Sequence, residues 1–291
     1  MFAKHKNIAI LLFFVLITGK LLSNQISFRL EIKNHSILFN DGHSVDAKLF
    51  SGISNNINCS ELLIWQSTDT LNLKVVNLDI ASHGFMSNNL FDLGIIAPGD
   101  SASITVSDFQ PGIYRYFDAT QSPYNEYLGL SGIIHIKNPQ ENTPYFYWDL
   151  REYQEEWNDQ LNLGVFPNLL NYSPKYFTIN GNSEPDINND PIARVTGNVG
   201  QELKIVIVNN GLSIHSMHFH GYHAVLVNSS KNSSHVGRSK DTFPLYPSEY
   251  IVLSLTPDKP GEYPVHDHNL VAVTGGGIYH AGMFTTLLIS P

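Results

Sequence analysis

Two short segments hold nearly half of the histidines in this chain: His215, His218, His220 and His223 in the first, His266 and His268 in the second, six of the 13. Neutral imidazole is a nitrogen donor for Cu, Zn, Fe or Ni, and no thiolate accompanies these rings, so the cluster points to a class of metal rather than to one ion. The spacing has geometric content. Residues two apart on a strand face the same side, so His218 and His220 project together, and so do His266 and His268. Two such pairs on neighbouring strands would bring four imidazoles to one place. The ordinary alternative is that each pair is the polar face of a strand, but two H-x-H pairs in one chain make metal ligation the more economical expectation. The isolated His35, His43, His135 and His235 are expected to be structural or solvated.

The elements that must position these rings read as strands. Short runs of alternating or β-branched apolar residues recur at 26–32, 71–76, 101–106, 133–136, 202–208, 250–255 and 283–289. Turn signals separate them, among them Pro98-Gly99-Asp100, Asn209-Asn210-Gly211 and Lys259-Pro260-Gly261. That pattern predicts an all-β chain built of sandwiches. A loose internal repeat predicts two of them: Val75-Val76-Asn77 then His83 in the first half, Ile207-Val208-Asn209 then His215 in the second, each followed by a Pro-Gly-x-Tyr turn and a last apolar strand. The expected organisation is a leader over residues 1–24, an N-terminal sandwich over 25–140, a connecting segment over 141–174, and a C-terminal sandwich over 175–291.

Composition narrows the classes of function. Of 291 residues, 42% are hydrophobic and 15% charged, enough apolar material for two ordinary domains. The net charge is −9 and no Lys/Arg run lies beyond the first residues, which argues against a nucleic-acid or anionic-membrane surface. Lys4 and Lys6, the apolar run Ile8 to Ile17 and the polar residues at Ser23 and Asn24 have the order of a secretory signal, which predicts export to the periplasm or the extracellular space, with no membrane span once the signal is removed. Cys59 is the single cysteine, so no intrachain disulfide can form, and it is expected to be a small buried hydrophobe.

The C-terminal half resembles the last domain of multicopper oxidases, the laccase and ceruloplasmin superfamily of cupredoxins. Phe177-Thr178-Ile179-Asn180-Gly181 is similar to the entry strand, His215-Ser216-Met217-His218-Phe219-His220-Gly221 to the H-x-x-H-x-H-G motif, Lys240-Asp241-Thr242 to the segment before the next strand, and His266-Asp267-His268 with Gly282-Met283 to the closing region. The resemblance implies two cupredoxin-like Greek-key sandwiches, with copper as the cofactor. It assigns His218, His220, His266 and His268 to a trinuclear-type centre and His215 to a type 1 copper. His83 and His280 are further candidate ligands, and Met283 reads as core. The sequence departs from the pattern at two places: Asp267 stands where the family places the type 1 cysteine, and Tyr116-Phe117-Asp118 stands in the other half where a copper-bearing domain would have His-Cys-His. A carboxylate cannot supply the soft thiolate bond, so no ordinary blue site is expected. Two H-x-H pairs rather than four imply one or two coppers per chain.

The expected function is therefore a copper-dependent oxidoreductase acting on a small molecule or a metal ion. Asp267 would orient an imidazole, carry a proton, or serve as a structural hydrogen-bonding group. The alternatives are a non-catalytic protein of copper tolerance, storage or delivery, and a zinc-bound or metal-free relic. Similarity to two-domain copper nitrite reductases implies a homotrimer.

Overall fold

The computed structural model describes residues 23–52 and 58–291. The expected leader lies outside the described residues up to position 22.

The seven strands read from apolar alternation are all present, and they assemble two sandwiches. In the first, one sheet has the order Ser44–Ser51, Gln25–Leu38, Thr70–Asn77, Ser101–Val106, and the other the order Leu63–Gln66, Ser131–Lys137, Gly112–Phe117, His83–Ser87, Phe91–Ile96. Leu30, Ile32, Leu71, Leu73, Phe85, Tyr116 and Ile134 from the two inner faces fill its core. In the second, one sheet runs Tyr176–Ile179, Tyr145–Tyr153, Leu203–Asn209, Tyr250–Leu255, Ala224–Ser229, Ser239–Lys240, and the other runs Thr196–Asn198, Phe284–Ser290, Gly261–Asp267, His215–Phe219, Thr242–Leu245. The same connectivity recurs in each half. Gln25–Leu38 runs parallel to Thr70–Asn77 as Tyr145–Tyr153 runs parallel to Leu203–Asn209, and Leu63–Gln66 runs parallel to the closing strand of its half as Thr196–Asn198 does. These are cupredoxin-like sandwiches.

Within the span read from sequence as a connector, Tyr145–Tyr153 is a nine-residue strand at the seam between the sandwiches. Its alternation is hidden because both faces are covered. Phe146, Trp148 and Leu150 enter the second core, while Tyr147 joins Ile113 and Ile133 of the first sandwich and Val206, Val208 and Val252 of the second. Polar groups tie the same seam. Arg151, 1% exposed, bonds Ser131 O at 2.5 Å, Glu126 O at 3.1 Å and Asp149 Oδ2, and Asp149 accepts from Asn210, which in turn accepts from Arg115. His135 sits there too, 2.6 Å from the Tyr147 hydroxyl, with burial pushing its pKa down to about 4. Cys59 differs from expectation: it is half-buried in a cleft of about 660 Å³ alongside Tyr147 and Asp149, and burial pushes its thiol up. Among the described residues no helix is long and apolar enough to cross a membrane.

Candidate metal centre

Strand register sets the histidine cluster. His215–Phe219 pairs antiparallel with Gly261–Asp267 so that His218 faces His266, flanked by Met217 opposite Asp267 and Phe219 opposite Val265. Met217, Phe219, Val265 and Asp267 are buried, so by alternation His218 and His266 stand on the outer face. His220 and His268 continue the same face just past the strand ends, each held by a backbone bond to the neighbouring strand, His220 N to Pro264 O and His268 N to Ser216 O. The His218 ring lies 4.7 Å from that of His220, 5.6 Å from His266 and 5.4 Å from His268. Nε2 of His220 is 3.0 Å from Nε2 of His266.

Outer partners fix two of these rings. Nδ1 of His266 is 2.8 Å from Asp267 O. A carbonyl only accepts, so Nδ1 carries the proton and Nε2 presents its lone pair to His220. The 3.0 Å separation is close to that of two imidazole nitrogens bound side by side on one ion at ~2.0–2.1 Å each. The donor set and this facing pair suit a borderline metal. Among the described residues no three His, Cys, Asp or Glu side chains already converge on a common point, so His218 or His268 would close on an ion by side-chain rotation.

Residues 163–287 match the family model for multicopper oxidase. The C-terminal half is thus similar to a multicopper oxidase domain. Ceruloplasmin of Rattus norvegicus is 24% identical over 196 residues, 61% of this chain, and ceruloplasmin of Ovis aries is 35% identical over 85 residues, 29% of this chain. The alignments span 17% and 7% of those proteins. Among solved structures, blue copper oxidase from Nitrosomonas europaea superposes with TM-score 0.75 at 18% identity, covering 91% of this chain and 86% of its own. Copper nitrite reductase from the same organism gives 0.69 at 16%, covering 92% and 94%. At such identities these likenesses establish the fold.

The C-terminal sandwich holds His215 and Asp267 on the inward side of the strands that display the cluster. His215 is completely buried, with Nδ1 2.6 Å from Asp267 Oδ2 and Nε2 2.8 Å from Glu152 Oε2. Asp267 Oδ1 accepts from Ser216 N at 3.1 Å and Asn269 N at 2.8 Å, and Glu152 Oε1 accepts from Tyr172 and from the amides of Leu212 and Ser213. Gly211 is required beside this group, because a Cβ there would lie 1.8 Å from Glu152 Oε2. The first sandwich repeats the motif. His83 Nδ1 lies 2.7 Å from Asp118 Oδ2 and Nε2 2.7 Å from Asp79 Oδ2, Asp118 Oδ1 accepts from Gly84 N and Thr120 N, and Lys48 also pairs with Asp79. Each half thus clamps an imidazole between two carboxylates.

These clamps correct several expectations. Both nitrogens of His215 and of His83 are engaged by buried carboxylates, so neither ring offers a lone pair to a metal in this arrangement. Asp267 has both oxygens occupied and is 0% exposed, the geometry of a structural hydrogen-bonding group. His280 pairs with Glu184 at 2.9 Å and stacks on Phe284, whose ring separates it from His266. Met283 is core, as expected.

Burial pushes the His215 pKa down, but the bonds and charges of Asp267 and Glu152 outweigh it and carry it from the ordinary 6.5 to about 9. Burial pushes Glu152 up, and His215 with Tyr172 and Ser213 outweighs it, bringing it from 4.5 to about 2. Between pH 6.5 and 9 the folded chain therefore holds a proton at His215 that the unfolded chain has lost. The clamp's contribution is fully present below about 6.5, where that displacement is worth about 3 kcal/mol, and is lost as pH rises through about 9. The Glu152 contribution is present above about 4.5 and lost as pH falls through about 2. Urea unfolding followed by circular dichroism should give highest stability near pH 5 to 6 and a decline toward pH 9.5 from this group. A flat profile across that alkaline range would refute the ion-paired imidazolium.

Proposed function

We propose that this chain is an exported copper-dependent oxidoreductase that holds one or two coppers on His218, His220, His266 and His268 and works without a type 1 centre. The observation that carries the reading is the outward face on which four imidazoles lie ring to ring, with the His220 and His266 nitrogens 3.0 Å apart. Copper bound there would supply one-electron chemistry and open positions for a small substrate. The chain's own part is to orient His266 through Asp267 O, to expose the His220 and His268 edges to solvent, and to keep the core side apolar and ion-paired. With no thiolate relay, the reductant delivers electrons at that exposed face. A homotrimer is proposed from the likeness to nitrite reductase. Exposure of two of the four rings also favours a second reading, copper storage or delivery, in which the same face exchanges its ion with a partner.

The deciding experiment loads metal-free protein with Cu(II), counts copper by mass spectrometry, records EPR, and assays turnover with phenols, Cu(I), Fe(II) and nitrite. An imidazole-ligated Cu(II) spectrum without an intense blue band, together with turnover, is the expected result. The same spectrum without turnover selects storage or delivery, and preferential zinc uptake rejects both.

A further inference from the structure

The His218 ring is held on its other side by groups outside the ligand set. Thr242 lies opposite His218 in the strand register, and its Oγ1 is 2.9 Å from His218 Nδ1. The same hydroxyl donates to Asp241 Oδ1 at 3.1 Å, while the Asp241 carbonyl accepts from Phe219 N at 2.7 Å and so locks this corner to the histidine strand. Asp241 and Thr242 are both half-buried. Proton bookkeeping then leaves one arrangement. A carboxylate can only accept, so the single Thr242 proton goes to Asp241, and Oγ1 must accept from His218. Nδ1 of His218 therefore carries the hydrogen and its Nε2 keeps a lone pair. His266 reaches the same tautomer by an unrelated device, the backbone carbonyl of Asp267. Two cross-strand imidazoles thus present the same nitrogen outward by independent means.

We propose that Asp241 and Thr242 form a relay that sets the tautomer of His218 and pre-orients it for a borderline divalent cation, which makes them positioning residues of the centre. The part concerning affinity rests on the copper reading above, whereas the tautomer is a property of the metal-free protein. Outer partners of ligating histidines characteristically change metal affinity by about 10–100-fold when removed.

The test uses the full chain without metal at about pH 8, above the ordinary imidazole pKa, and reads the His218 ring nitrogens by long-range 1H–15N NMR. The unsubstituted protein and Thr242→Ser are expected to show the Nδ1–H form. Thr242→Val, which has no acceptor, should move His218 toward the Nε2–H form. Asp241→Asn should move it the same way, because its amide can donate to Oγ1 and free the hydroxyl to donate to Nδ1. Calorimetric titration with Zn(II) alone should then show roughly 10–100-fold weaker binding for Thr242→Val, restored in Thr242→Ser. An unchanged tautomer in Thr242→Val overturns the relay whatever the affinities do. A tautomer shift in a protein whose unsubstituted form binds neither Zn(II) nor Cu(II) upholds the relay and rejects the copper reading.

Discussion

His215→Leu is expected to destabilise the folded chain by about 3–5 kcal/mol, the range found when one partner of a buried ion pair is removed and the others stay behind. The substitution leaves Glu152 and Asp267, both fully enclosed, facing each other with no cation between them. Their remaining partners are amides and a hydroxyl, which satisfy hydrogen bonds without neutralising charge. Against a total stability of roughly 5–15 kcal/mol the loss is large, and at about 2–4 °C per kcal/mol it lowers the melting temperature by roughly 6–20 °C. Two companion results sharpen the test. Replacing His215, Glu152 and Asp267 together by apolar residues of similar volume should recover most of the loss, because the cost lies in the orphaned charges. Copper uptake at low temperature, where the variant is folded, should match the unsubstituted protein. A variant that keeps its stability but loses copper would show that His215 is a ligand and that the clamp has been misjudged.

The second large effect belongs to the outer face. His218→Ala combined with His268→Ala should abolish stoichiometric copper uptake while leaving the β-sheet circular dichroism and melting temperature nearly unchanged. Four-ligand sites bind with roughly 10–16 kcal/mol, so each ligand accounts for about 2.5–4, and losing two weakens binding by about 10⁴–10⁶-fold. The fold tolerates the change because His268 is exposed and His218 half-buried, outside the clusters that fill the sandwich. Surface substitutions of this kind generally fall within about 0.5 kcal/mol each. Full-strength uptake by the double variant, measured by equilibrium dialysis, would remove the cluster from consideration as a metal site.

Both predictions begin from residues whose visibility in the sequence was unequal. The H-x-H pairs were legible because period-two alternation is a local property: Met217, Phe219 and Val265 go inward and their histidine neighbours must go outward. The repeat was legible for a similar reason. Asn77 and Asn209 each end a core strand, cap the following turn through Oδ1 and bond two carbonyls through Nδ2, so the same residue recurs at the same place. Glu152 carried no such signal. It lies 63 positions from His215 and on a strand packed on both faces, whose near-continuous burial erased the alternation that would have marked the residue as inward. The clamp was half visible, since Asp267 stood at the expected cysteine position in the second half and Asp118 closed the Tyr116-Phe117-Asp118 segment that departs from the pattern in the first. Only the three-dimensional partner of each histidine showed that the two substitutions are one device used twice. Thr242 was likewise noticed as part of a motif, but its hydrogen-bonding role depends on which strand runs beside His218.

The seam formed by Tyr145–Tyr153 has a mechanical consequence. Domains joined by a flexible tether swing by default, and a large apolar contact is what suppresses the swing. Here Tyr147, Val206, Val208 and Val252 meet Ile113 and Ile133 while Arg151 reaches across to the carbonyls of Glu126 and Ser131. The two lobes therefore turn as one stiff body, and whatever approaches the imidazoles meets a platform whose tilt against the rest of the molecule is preset rather than adjusted at each encounter.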